Sequence, residues 1–189
     1  MSDQIEILTE EASMEAFLRG FLPRILPPAY ILDENCFIRT HSGKSHLMKS
    51  IPKKMRAYPN FPKRVRVFII HDQDSNDCLE LKNRILQECN AQIPTVVRIA
   101  CLELENWYLG DLPGVELVYP KVNSAALQNK AKYRNPDRLA GSEEMKNLTK
   151  DFSKIGAAKK MGTVINFDTN RSVSFNQFVS GFHKLMQIP

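Results

Sequence analysis

Apolar positions recur along the first hundred residues with two alternating periods. "IEILT" (Ile5 to Thr9) alternates apolar with polar residues and stops at Glu10-Glu11, which predicts a strand entering a loop. Ser13 then stands as an N-cap for "MEAFLRGFLPRIL", in which Met14, Phe17, Leu18 and Phe21 recur at helical spacing. "CFIRT" within Tyr30 to Thr40 is a second strand candidate. Ser45 to Tyr58 places Leu47, Met48, Ile51 and Met55 on one face and lysines on the other, predicting a basic helix despite Pro52. "RVRVFII" (Arg64 to Ile70) passes from alternating to fully apolar, the mark of a central buried strand ending at "HDQDSND". Asp77 to Asn90 predicts a third helix with Asn76 or Asp77 as cap and Leu79, Ile85, Leu86 and Cys89 inward. "TVVRIACL" (Thr95 to Leu102) is a further buried strand, followed by the acidic and aromatic stretch "ELENWYLGD".

Strands alternating with helices require right-handed crossovers and parallel pairing, so the fold class is α/β, a Rossmann-like parallel sheet of about four strands flanked by helices. After Asp111 the strand rhythm disappears. Val115 to Tyr119, Ser142 to Lys150, Phe152 to Met161 and Ser174 to Met186 read as short helices. The expected organisation is an α/β core over residues 1–111 and a basic, mainly helical extension over 112–189, packed on that core. Trp107, Tyr108, Phe175, Phe178 and Phe182 are expected in the core.

Composition is that of an ordinary globular chain, 43% hydrophobic and 25% charged in 189 residues. No run reaches the ~18 apolar residues of a membrane helix. The N-terminal "MSDQIEILTEE" is acidic and leads straight into a strand, so it does not read as a signal peptide, and a cytoplasmic protein is expected. Cys36, Cys78, Cys89 and Cys101 lack the spacing of a zinc site or a disulfide framework and read as small packed residues.

Charge is segregated. Residues 1–120 carry 14 basic and 16 acidic residues, whereas 121–189 carry 12 basic and 5 acidic. Asn35 to His71 contains nine basic residues and no acid. A polyanion-binding surface needs such a distribution, although a solvated helix face also produces it.

Gly43-Lys44-Ser45 closes the pattern of a nucleotide phosphate loop, but the position of that loop's first glycine is Ile38, and Arg39 and His41 stand where small residues are needed. What survives is a helix N-terminus with Ser42 or Ser45 as cap and Lys44 beside it, an end that attracts phosphate.

Acidic residues gather at predicted strand ends: Glu10 and Glu11 after the first, Asp72, Asp74 and Asp77 after the third, Glu103 and Glu105 after the fourth. Parallel sheets form their sites there, and crowded carboxylates favour raised pKa values or a hard divalent cation. Asp72-x-Asp74-x-Asn76 begins like a calcium loop, but Asp77 and Asn83 occupy the positions of its glycine and final glutamate.

"ILTEEASMEAFL" and "VFIIHDQDSNDC" together resemble the Toprim domain of topoisomerases, primases and overcoming-lysogenization-defect nucleases. The chain more closely resembles a prokaryotic Toprim-related family of uncharacterised small proteins, often encoded beside ATPases and associated with phage defence. The likeness continues through "GKSHLMKSIPKKM", "LELENWYLGD", "NKAKYRNPDRL" and "NRSVSFNQFVSGF". It implies a Toprim-like sheet and a nuclease-type phosphodiesterase acting on DNA or RNA with Mg²⁺ or Mn²⁺ and an ATPase partner. Its conserved glutamate falls on Glu10, with Glu11 adjacent where many relatives have glycine, and its paired aspartates fall on Asp72 and Asp74. Asp77 fits the third acid, and Glu105 is inferred as a further metal ligand. Glu10 would act as general base or metal ligand. Lys130 and Lys132, with Arg134, would face developing phosphate charge, while Lys44, Lys49, Lys53, Lys54 and Arg56 would follow the strand. The competing reading is a non-catalytic nucleic-acid-binding or ATPase-partner subunit.

Overall fold

The structure is a computed structural model describing residues 3–187, so the first two residues of the acidic N-terminal stretch and the last two of the extension lie outside the described residues. Strands β1 (Gln4–Thr9), β2 (Cys36–Thr40), β3 (Val65–Asp72) and β4 (Thr95–Ala100) form one sheet in the order β2-β1-β3-β4, with every pairing parallel. Helices α1 (Ala12–Phe21), α2 (Lys44–Ala57) and α3 (Cys78–Gln87) make the crossovers that parallel pairing demands. The chain then continues through α4 (Glu105–Leu109), α5 (Leu112–Val118), α6 (Ser124–Gln128), α7 (Gly141–Leu148), α8 (Lys154–Val164) and α9 (Val173–Gln187). The expected α/β class and helical C-terminal part are therefore present.

Alternation along the strands divides the core in two. Ile5, Ile7, Phe68, Ile70 and Ala100 meet α1, α4, α5, α8 and α9 on one face. Leu8, Val65, Val67, Ile69 and Val97 meet Leu47, Ile51 and Met55 of α2 and Leu81 and Ile85 of α3 on the other. Both faces of β3 are buried, which is why its sequence loses alternation.

Aromatic rings fill the first layer. Trp107 stacks on Phe178 at 4.9 Å between centroids, and Phe68 meets Phe178 at 5.6 Å and Phe182 at 5.5 Å. The Trp107 indole N–H donates to Ser174 Oγ at 2.9 Å, so its one polar group is satisfied. Residues from 1–111 and from 112–189 share this layer. α8 lies against α1 closely enough that a Cβ on Gly162 would stand 2.3 Å from the Phe17 carbonyl oxygen and 3.3 Å from Gly20 Cα.

Several local expectations change. α1 begins at Ala12 with Glu11 in the cap position, and Ser13 is buried, its hydroxyl turned back to the Glu11 carboxylate. Neither Ser42 nor Ser45 caps α2. Gly43 occupies that position at φ 92°, a conformation a Cβ would oppose. Asp77 does cap α3, its Oδ1 accepting from the N–H groups of Leu79 and Glu80 at 2.8 and 3.0 Å. That cap sets the helix phase so that Leu81 and Ile85 point inward, while Leu79 and Leu86 are exposed. β3 runs two residues further than predicted, placing Asp72 on the strand, and β4 ends two residues earlier.

Candidate acidic site

After β1 the chain crosses to β2 on one side, and after β3 it crosses to β4 on the other. The loops leaving β1 and β3 therefore diverge, opening the crevice where parallel sheets bind ligands. Glu10 and Glu11 follow β1, Asp72 closes β3, Asp74 follows it, and Glu103 and Glu105 follow β4.

Hydrogen bonds brace the β3 and β4 loops against each other. The Gln73 N–H donates to the Ala100 carbonyl at 2.9 Å, the Asp74 N–H to the Leu102 carbonyl at 3.2 Å, and the Leu102 N–H to Gln73 Oε1 at 3.1 Å. The bracing holds Asp74 and Leu102 at φ 51° and 58°, a left-handed conformation that costs a non-glycine residue about 1–3 kcal/mol.

Glu10 Oε2 lies 3.2 Å from His71 Nδ1, but that nitrogen also faces the Asp72 carbonyl at 2.6 Å. A carbonyl only accepts, so the ring hydrogen goes to it. Glu10 Oε2 is left buried without a hydrogen-bond partner among the described residues, as are Glu105 Oε1 and the Tyr108 hydroxyl. The Glu105 side chain is 1% exposed. Burial raises the pKa of Glu10, aided by Asp74 and Glu11 and opposed by His71. Burial raises that of Asp72 well above the carboxylate range, with Glu10, Glu11, Glu105 and Asp74 adding repulsion. Burial also raises that of Glu105, with Lys154 opposing.

Lys154, the first residue of α8, is one cation set against this group. Its Nζ lies 3.9 Å from both Glu11 Oε1 and Glu103 Oε2. Burial works against its charge, yet Glu105, Glu11, Glu103 and Asp72 together keep its pKa raised. Lys154 escapes sequence reasoning because it sits in no motif and lies about fifty residues from the nearest of these acids.

The remaining expected residues are dispersed. Asp77 is committed to the start of α3. Lys44 Nζ pairs with Asp74 Oδ2 at 3.1 Å, bringing the start of α2 to the rim of the acids. Lys49, Lys53 and Arg56 are exposed along α2, whereas Lys54 is half-buried, burial lowering its pKa while Glu6 supports its charge. Lys130, Lys132 and Arg134 are exposed before α7, and Lys132 Nζ holds Glu144 Oε1 at 2.8 Å. α7 itself reaches the acids, its Ser142 N–H donating to Glu103 Oε1 at 2.8 Å.

A model of a domain of unknown function, DUF4276, matches residues 9–183. The chain belongs to the DUF4276 family. The match takes in every acid of the crevice and Lys154. No curated protein and no solved structure matches this DUF4276 chain.

As they stand, no three His, Cys, Asp or Glu side chains among the described residues form a metal-holding group. The donor chemistry nevertheless suits a hard cation: clustered carboxylates, two of whose buried oxygens lack a partner, gain most from a divalent charge.

Proposed function

We propose that this DUF4276 protein is a divalent-metal-dependent phosphodiesterase acting on DNA or RNA. The observation that carries the reading is the set of Glu10, Asp72, Asp74 and Glu105 at the switch point of a parallel sheet, with two buried carboxylate oxygens unsatisfied. Asp72, Asp74 and Glu10, with Glu105 behind them, would hold Mg²⁺ or Mn²⁺. Such an ion, when bound, supplies polarisation of a phosphate and a lowered pKa for the attacking water.

The chain's own residues supply the rest. Glu10, with its raised pKa, takes a proton from water more readily than an ordinary carboxylate. Lys154 offsets part of the negative charge that would otherwise repel a phosphate. Lys49, Lys53 and Arg56 offer exposed cations to the strand, and Lys130 and Arg134 extend that basic surface. The Toprim resemblance adds an ATPase subunit as proposed partner and phage defence as proposed setting.

One observation favours the competing reading, a non-catalytic nucleic-acid-binding or ATPase-partner subunit: Lys44 pairs with Asp74 and Lys154 lies near Glu11 and Glu103, so the chain's own cations already offset part of the acidic charge. The purified chain, assayed on single- and double-stranded DNA and RNA with Mg²⁺ or Mn²⁺, decides between the two. Cleavage that disappears in Asp72→Ala/Asp74→Ala, with an unchanged circular dichroism spectrum, is the expected result. Cleavage retained by that variant, or no Mn²⁺ binding by calorimetry to the parent, overturns the phosphodiesterase reading.

A further inference from the structure

We propose that the groove between the start of α2 and the start of α3 binds a phosphate monoester at the end of a nucleic-acid strand, next to the acidic crevice. The proposal deepens the phosphodiesterase reading and rests on it for the identity of the strand.

The groove encloses about 410 Å³ and is lined by Lys44, Ser45, Lys49, His71, Ser75 and Arg84, among others. Lys49 and Arg84 have no ion-pair partner among the described residues, so two cations face the same space uncompensated. α2, fourteen residues long, begins at this groove with no side-chain cap and no acid in its first turn. The Lys44 and Ser45 N–H groups have no acceptor among the described residues, which leaves the positive end of the helix open to an anion.

His71 makes the site more than a helix end. Its side chain is 2% exposed, lines the groove and has Nδ1 committed to the Asp72 carbonyl, while Nε2 has no partner among the described residues. Nε2 is thus a polar group facing the groove with its hydrogen-bonding capacity unused. A terminal phosphate monoester, whose second pKa is about 6, carries close to two negative charges at neutral pH. A phosphodiester within a strand carries one negative charge, and so gains less from Lys49, Arg84 and the helix N-terminus.

Two contacts tie the groove to the acids. His71 Nδ1 lies 3.2 Å from Glu10 Oε2, and Lys44 pairs with Asp74. A terminal phosphate seated there would present the neighbouring phosphodiester towards the acidic crevice, so the substrate class is a strand carrying a terminal phosphate.

The test is calorimetric titration of the full chain in EDTA with three probes: a dinucleotide phosphorylated at its 5′ or 3′ end, the same dinucleotide without that phosphate, and inorganic phosphate. The expected result is binding of one phosphorylated form about tenfold tighter than either other probe. Lys49→Gln/Arg84→Gln, with unchanged circular dichroism, should lose at least about tenfold of that affinity. Equal affinity for the dinucleotide with and without its terminal phosphate overturns the proposal, as does full affinity in the double variant. Inorganic phosphate binding as tightly as the dinucleotide overturns the strand-end reading. Because no metal is present, this result is independent of the cleavage assay: either reading can fail while the other stands.

Discussion

Glu10 and His71, at the ends of adjacent strands, approach to 3.2 Å, yet the imidazole hydrogen is spent on the Asp72 carbonyl. The Glu10 oxygen therefore gains proximity to a polar ring without a hydrogen bond. Glu10, Asp72 and Glu105 all hold their protons more strongly in the folded chain than in the unfolded one, burial being the main cause.

That difference sets a sign for stability against pH. Between the ordinary carboxylate range and the raised values, the folded state binds more protons than the unfolded state, so these three groups make stability fall as pH rises. Thermal unfolding in EDTA, followed by circular dichroism, is expected to give a higher Tm near about pH 5.5 than near about pH 7.5. Excess Mg²⁺ at the higher pH should recover the lost Tm. A Tm that climbs with pH in EDTA would contradict the raised values.

Asp72→Asn removes the charge while keeping the shape. At neutral pH in EDTA it is expected to stabilise the protein by on the order of 1 kcal/mol, seen as a rise of about 2–4 °C in Tm. Mn²⁺ binding and phosphodiester cleavage should be lost in the same variant. Stability and function moving in opposite directions distinguishes a functional acid from a structural one.

Lys154→Met tests the internal counter-ion. Without the ammonium near Glu11 and Glu103, the metal-free protein should melt lower, and calorimetry should show Mn²⁺ bound several-fold tighter because a competing cation has gone. Unchanged melting and unchanged Mn²⁺ affinity would reduce Lys154 to a surface contact.

Gly162→Ala addresses the contact of α8 with α1. The added methyl would press on the Phe17 carbonyl and Gly20, and separating the helices should cost about 1–3 kcal/mol, read from the midpoint of urea unfolding. A midpoint within error of the parent would show that the helices move apart freely.

The order of strands and crossover helices was legible in the chain because the periods are clean: "VFII" is apolar on both faces and is buried on both. The gathering of Glu10, Asp72 and Asp74 followed from parallel pairing, which carries successive strand ends to one edge. Lys154 was not legible, since only the seating of α8 brings it there. Asp77 fits two roles in sequence, cap and metal ligand, and the geometry at α3 shows it in the first, through Oδ1. Ser13 has the chemistry of a cap but lies one residue inside α1, where tertiary packing buries it. α4 and α6, five residues each, are too short to leave a periodic signature.

The aromatic layer carries a consequence for biosynthesis. Phe17, Phe21 and Phe68 are translated well before Phe175, Phe178 and Phe182, which cover them. On the ribosome, the β3 and β4 part of this face stays uncovered until the helix beginning at Val173 has emerged, an interval during which chaperones or self-association compete for it.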